Sequence, residues 1–249
     1  MNNILIKLIG WHATILHEDP CAFDRYKWIK KHLKKGSFKT LDAGCGLGSF
    51  TFYAAKKGNI ATGLSFNESA NKQANKTAKI LNLKNINFKK CDLRYLDKFK
   101  NNLEKYDQII CLETIEHILN DEKLIKDLSD LLKPNGTLLL TTPFKHYKHL
   151  WHDKLSTQED GGHVRWGYTH EEIKNIFEKI GLEVKTQEHV SGFISQQLTN
   201  LSRIISTKIN QRFAWFLILP LRIFQLIDPL ITKIIKYPYL SIAIIGIKK

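Results

Sequence analysis

The run Thr40-Leu41-Asp42-Ala43-Gly44-Cys45-Gly46-Leu47-Gly48 is the stretch whose residue types and spacing point most directly to chemistry. Alternating glycines let the backbone approach a ligand closely, and the N–H groups that open a helix favour an anion such as a carboxylate. An acidic residue precedes the first glycine, and the spacing is not that of the dinucleotide loop G-x-G-x-x-G. Three more clusters carry polar chemistry: Cys91-Asp92-Leu93, Leu112-Glu113-Thr114-Ile115-Glu116-His117, and the segment from His146 to Tyr168 with His149, His152, His163 and Arg165. Histidine-rich runs bind zinc in some proteins. Here no cysteine or acidic ligand set accompanies them, so no metal is expected.

A scaffold has to bring these clusters together. Phe38–Ala43 reads as a strand, Leu47–Lys56 as a helix, Asn59–Phe66 as a strand and Glu68–Leu81 as a helix. Asn85–Cys91 and Tyr106–Leu112 are further strands, and a helix follows over Asp121–Leu132. Lys133-Pro134-Asn135-Gly136 is a turn before the strand Thr137–Thr142. Thr169 caps a helix that runs to Gly181, with Glu172 completing a capping box; Leu182–Val190 and Tyr237–Ile247 read as the last strands. Asp24–Lys35 reads as a basic amphipathic helix ahead of all these. Apolar strands alternating with helices indicate an α/β domain whose parallel sheet is covered on both faces. Such sheets bind ligands outside the carboxyl ends of their strands, where every cluster above falls.

In that context the glycine loop resembles that of the class I S-adenosylmethionine (SAM)-dependent methyltransferases, especially the group that includes ubiquinone and menaquinone biosynthesis enzymes. The resemblance covers roughly Asp24 to Val190 and the last strand. It implies a Rossmann-like, doubly wound, mostly parallel seven-stranded sheet, with a helical insertion before the last strand in a single domain spanning 1–249. By the same likeness Asp42 orients the methionine amino group of SAM, and Gly44, Cys45, Gly46 and Gly48 surround the methionyl end. Asp92 meets the adenine amine beside Leu93, and Glu113 stands in the segment after the fourth strand, often E-x-x-E-H. One departure stands out. The second strand of the family ends in an acid that grips the ribose hydroxyls, whereas here Ser65 precedes Phe66. A hydroxyl makes one neutral hydrogen bond where a carboxylate makes two stronger ones. Ser65 is read as a ribose contact or as a plain strand-end serine, since some C-methyltransferase relatives resemble this chain in having Ser or Thr there.

Methyl transfer from a sulfonium depends mainly on alignment in a dry site, and an oxygen or carbon acceptor must also lose a proton. The catalytic candidates are His117, His163 and Arg165. His117 serves as a base or orients the following helix, and Arg165 holds an acidic acceptor or makes a structural salt bridge. The (D/N)-P-P-(Y/F) signature of amino-methylating enzymes is missing after the fourth strand.

Ser191–Lys236 stands outside the alternating pattern. Ile194, Leu198, Leu201, Ile205 and Ile209 share a helical face. Further on, Arg222, Gln225, Asp228, Thr232, Lys233 and Lys236 fall in an arc of roughly 140°, with Ile223, Ile227, Leu230, Ile231 and Ile234 opposite. Phe213–Leu221 is apolar throughout but shorter than a membrane span. Two readings stand: a cap supplying an apolar pocket, or docking on a membrane with Lys208, Arg212, Arg222, Lys233 and Lys236 at the head groups. Either favours a small apolar or lipid-linked acceptor.

Composition sets the outer limits. The 249 residues are 43% hydrophobic, enough for a substantial core, and carry a formal charge of +14 that suits a polyanion or an anionic membrane. Only six of the basic residues are arginine, which argues against nucleic acid as partner, although an RNA methyltransferase remains the alternative, followed by a non-catalytic SAM-binding protein. The four cysteines form no CxxC pair and are expected to be reduced in a cytoplasmic protein, at the membrane surface if the insertion docks there. The apolar start from Asn2 to Leu16 is interrupted by Lys7, so no cleaved signal peptide is expected.

Overall fold

A computed structural model describes residues 3–249; Met1 and Asn2, where the apolar start begins, lie outside it. One sheet carries seven strands in the order β3-β2-β1-β4-β5-β7-β6. They are β1 (Lys39–Ala43), β2 (Ile60–Ser65), β3 (Ile86–Lys90), β4 (Tyr106–Leu112), β5 (Leu132–Pro143), β6 (Leu182–Val190) and β7 (Ser241–Lys248). β1 to β5 pair in parallel, and β7 lies antiparallel between β5 and β6. This is the doubly wound, mostly parallel sheet that the family resemblance implies. The strand order reverses between β1 and β4, which opens a crevice at their carboxyl ends.

Side chains along each strand alternate between two apolar layers. Ile109 and Cys111 face α6 (Leu96–Phe99), α7 (Asp121–Leu131) and α8 (His170–Lys179). Ile110 faces the other layer, which holds α4 (Ser49–Lys56), α5 (Glu68–Ile80) and the N-terminal helices α1 (Asn3–Ile9), α2 (His12–His17) and α3 (Pro20–His32).

Boundaries moved where a local signal outweighed periodicity. α3 starts at Pro20, because Asp19 accepts from the Ala22 N–H at 2.9 Å and proline suits the first helical position. α4 starts only at Ser49, since Gly44, Gly46 and Gly48 take left-handed φ values of 86°, 53° and 88°. The Lys133–Gly136 turn bulges out of β5: pairing jumps from Tyr106 opposite Leu132 to Gln108 opposite Thr137, with Asn135 at φ 59°. The last strand begins at Ser241 rather than at Tyr237.

The insertion comprises α9 (Phe193–Lys208), α10 (Gln211–Leu221), a 3-10 turn (Arg222–Leu226) and α11 (Asp228–Ile234). Its amphipathicity is inverted. Arg222, Gln225, Asp228 and Thr232 are buried, while Ile223, Ile227, Leu230 and Ile234 are exposed. Arg222 therefore does not sit at a head group. The cause is the start of α9, which Gly192 leaves without a side-chain cap. Asp228 accepts there from the N–H groups of Ile194 and Ser195 at 2.8 and 2.9 Å, and Thr232 accepts from that of Phe193 at 2.8 Å. Gln225 donates to the Pro20 carbonyl and to the Ser195 hydroxyl, both at 2.8 Å, and Arg222 donates to the Ile15 and Glu18 carbonyls. Arg222, Gln225, Asp228 and Thr232 of the polar arc clamp the 3-10 turn and α11 to α2, α3 and α9, and the apolar arc is left facing out.

Candidate active site

A cavity of about 360 Å³ opens at the carboxyl ends of β1 to β4. Gly44, Gly46, Ser65, Phe66, Asp92, Leu93 and Glu113 line it, drawn from four separate loops. Gly44 has φ 86°, and a β-carbon there would fall within clashing distance of the Thr114 hydroxyl, so no larger residue fits. Gly46 borders open space instead, where a side chain would project toward a ligand. Asp42, Cys45 and Gly48 stand behind this wall. The Asp42 carboxylate is buried, accepts from the Thr51 hydroxyl at 2.6 Å, and is pushed up to about 7 by burial. Glu18 lies close enough to raise it further, and burial raises Glu18 as well.

Ser65 is buried at the end of β2, where its hydroxyl accepts from the Asn67 N–H at 3.2 Å and its carbonyl accepts from the Asn71 amide at 3.1 Å. Asp92 is gripped by Arg94, whose Nε lies 2.9 and 3.0 Å from its two carboxylate oxygens, and this contact holds Asp92 below the usual carboxylate range. Arg94 also reaches Glu159, so it joins Asp92 to the segment following β5 that closes the cavity. Arg94 and Glu159 were not singled out from sequence, because nothing local in the chain links them.

At the inner end of the cavity Glu113 takes a left-handed φ of 45°, held by hydrogen bonds to its carboxylate from Thr141 at 2.8 Å and Ser241 at 3.0 Å. Glu116 beside it is fully buried. One of its oxygens accepts from Thr142 at 3.1 Å, while Oε1 has no hydrogen-bond partner. Burial raises this carboxyl well above its ordinary range. His117 Nε2 lies 3.7 Å from that oxygen, and the His117 and His163 rings meet edge to face with centroids 4.8 Å apart. His117 Nδ1 lies 3.0 Å from the Gly162 carbonyl, which only accepts, so Nδ1 carries the proton and Nε2 of the neutral ring is left with a lone pair. Burial holds His163 down at about 4, so it stands neutral.

The ligand atoms of Glu116, His117 and His163 all lie within 4.8 Å of one another, and among the described residues this is the group that could hold a metal ion. The reading that no acid accompanies the histidines is thus corrected. Glu116 is distant from His163 in sequence, and the fold brings them together. Of the two readings of Arg165, the structure shows the structural salt bridge. Its guanidinium binds Asp121 and the carbonyls of Ile118 and Leu119, at 2.9 and 2.8 Å, and it lines neither cavity. It fastens the loop ahead of α7.

A second cavity of about 710 Å³ lies beyond His163. Gly161 lines the first cavity and Gly162 the second, so adjacent residues of one segment border the two. Its far wall is the insertion, through Arg203, Gln211, Trp215, Ile218 and Arg222. With Glu18 and Asp153 on the facing side, the lining is more polar than an apolar cap implies.

This sheet, with a glycine loop after β1 and polar loops after β2 to β4, defines the class I SAM-dependent methyltransferases. The chain belongs to the methyltransferase-domain family, whose model matches residues 22–187. The ubiquinone biosynthesis O-methyltransferase of Coxiella burnetii is 33% identical over 124 residues, 50% of this chain and 51% of that protein. That of Haemophilus ducreyi is 36% identical over 107 residues, 42% and 44% of the two chains. The chain thus spans about half the length of the curated relatives it matches. Among solved structures, coclaurine N-methyltransferase bound to N-methylheliamine and S-adenosylhomocysteine (SAH) superposes with a TM-score of 0.59 at 19% identity, covering 92% of this chain and 72% of that one. The [4+2]-cyclase SpnF superposes at 0.62 and 19% identity, covering 91% and 81%. At such identities these two likenesses speak for the fold alone.

Proposed function

We propose that the protein transfers the methyl group of SAM to a hydroxyl oxygen of a lipid-linked acceptor. The observation that carries this is the pair of cavities meeting at His117 and His163, one bordered by the glycine loop and the other by the insertion. SAM occupies the first. Asp42, with Glu18 behind it, draws the methionyl ammonium, Ser65 meets the ribose, and Asp92 meets the adenine amine. The acceptor enters through the second cavity and passes its hydroxyl beyond His163 to His117 in the first, against the methyl group of SAM. His117 Nε2 removes the hydroxyl proton, its tautomer fixed by the Gly162 carbonyl, while closure excludes water. The names of the Coxiella and Haemophilus relatives support an oxygen acceptor and a quinone precursor as its chemical type. The test is incubation of the protein with methyl-labelled SAM and a lipid extract, followed by mass spectrometry. Label on a phenolic or enolic oxygen of a lipid-linked compound is the expected result; label confined to RNA or to amines would sink the reading.

One observation favours a cation-assisted form of this reaction. The unpartnered Glu116 oxygen faces two imidazoles, a donor set that suits a divalent transition metal. A hydroxyl bound to such a metal loses its proton more readily. Dialysis against a chelator should then lower turnover, with Mn²⁺ or Zn²⁺ restoring it. Undiminished turnover after chelation leaves proton removal to His117 alone.

A further inference from the structure

We propose that the outward apolar face of α10, the 3-10 turn and α11 docks on an anionic lipid bilayer, with the mouth of the acceptor cavity at its edge. Phe216, Ile223, Leu226, Leu230 and Ile234 are 60–73% exposed, and they recur at the spacing of one helical surface. A helix packed on a water-soluble domain turns such residues inward. Single exposed apolar side chains are ordinary, but a continuous run along two helices and the turn between them marks an interaction surface. The inversion is built in, because the opposite arc is occupied in capping α9 and in binding the carbonyls of α2 and α3. The helices cannot roll over to hide their apolar side without uncapping α9.

Charge identifies the occupant. Lys208, Arg212, Lys233 and Lys236 are exposed in and beside these helices, and among the described residues none of them meets a carboxylate. The one acid between residues 191 and 236 is Asp228, which is buried in the clamp. An apolar face bordered by unpaired cations is complementary to an anionic lipid surface. A second copy of the chain on the same patch would set these cations against one another across a two-fold axis. Among the described residues no single helix is long and apolar enough to cross a membrane, and the arms Gln211–Leu226 and Asp228–Ile234, which reach that length and apolarity only when taken together, meet at 68°. The segment lies in the interface, with its polar side on the protein.

Docking here links the bilayer to the site. On α10, Phe213, Phe216 and Leu217 face out, whereas Trp215 and Ile218 line the acceptor cavity, and Trp215 is pinned by its indole N–H to the Leu16 carbonyl at 2.7 Å. One helix therefore has its apolar surface in the lipid and its other side on the cavity. A lipid-linked acceptor would pass its head into the polar cavity while its tail stays in the bilayer. This deepens the functional reading above, but the docking stands on the helices themselves.

The experiment is flotation of the full chain with vesicles of phosphatidylcholine, alone or with phosphatidylglycerol. The wild type should float with the anionic vesicles and scarcely with the neutral ones. Leu226→Ser/Leu230→Ser/Ile234→Ser should lower that binding by about tenfold or more. Lys208→Glu/Lys233→Glu should also weaken it about tenfold, and added salt should do the same. These side chains are exposed, and circular dichroism with SAH calorimetry checks that each variant is folded. Failure of the wild type to float, or equal flotation of the triple-serine variant, overturns the proposal. So does light scattering that shows a dimer which the triple-serine variant dissolves. Flotation is independent of turnover: intact docking with no labelled lipid would defeat the functional reading and leave the docking in place.

Discussion

Asp42 is buried against Thr51 with a second acid, Glu18, behind it, an arrangement suited to receiving a cation. Its folded-state value of about 7 stands above the ~3.9 of an unfolded chain, so its ionisation costs stability. That cost is absent below about pH 4, grows as pH rises, and is complete above about pH 7. Binding of the methionyl ammonium favours the ionised carboxylate. SAH affinity by calorimetry should therefore be level above about pH 7 and fall by up to about tenfold per unit below it. Asp42→Asn should bind weakly and flatten that slope; a slope that survives in this variant but vanishes in Glu18→Gln would move the ammonium to Glu18. For proton removal, His117→Ala should lower kcat by about a hundredfold or more while SAH affinity stays within about threefold. An unchanged kcat would make His117 a residue that only orients the 3-10 turn it sits in. Asp42 and His117 were legible because each stands in a local motif at a strand end. Glu116 was visible only as part of such a motif, since what distinguishes it, an unpartnered oxygen facing His163, exists only once β4 and the segment after β5 are side by side. Arg165 shows the reverse: its type suggested an anion, and the fold used it on Asp121.

At the scale of elements, Asp228 does more than its exposed-helix position suggested. It caps α9 from another helix, so Asp228→Ala leaves the N–H groups of Ile194 and Ser195 buried without a partner. The expected loss is about 2–4 kcal/mol by urea denaturation, with Asp228→Asn retaining part of it. A loss within about 0.5 kcal/mol would mean that water caps α9 and that the clamp contributes little. The alternating helices and strands were readable because each buries a face whose period, 3.6 or 2, is written in the apolar residues. The same periodicity found two unlike faces in the insertion but could not say which one looks inward. That was decided by a missing cap at Gly192, in another helix, to which the sequence of α11 holds no pointer. The start of α3 was within reach, since Asp19-Pro20 is an N-cap followed by a first-turn proline.

Over the whole molecule the working parts lie in series: glycine loop and SAM cavity, histidine wall, acceptor cavity, and the outward face of the insertion. The first rests on β1 to β4 and their loops, the last on α9 to α11, and the wall at Gly161–His163 stands between. Such an arrangement makes cofactor binding and surface docking separable. SAH at about a hundred times its Kd should stabilise the folded chain by about 2.7 kcal/mol, a rise in Tm of roughly 5–10 °C for a domain of this size. Gly46→Val should abolish the rise, because its side chain would enter the space open to the ligand. Phe213→Ser/Phe216→Ser, on the outer side of α10, should keep the rise while losing vesicle binding and turnover of a membrane-borne acceptor. The opposite pattern, a lost SAH shift with vesicle binding and turnover intact at saturating SAM, would make the insertion part of the cofactor site. A detergent-solubilised acceptor provides the remaining comparison: if docking serves delivery, the double-serine variant should recover most of its turnover there, because the acceptor cavity behind Trp215 and Ile218 is untouched. Failure to recover would show that these two phenylalanines shape the cavity itself, from the far side of the helix that lines it.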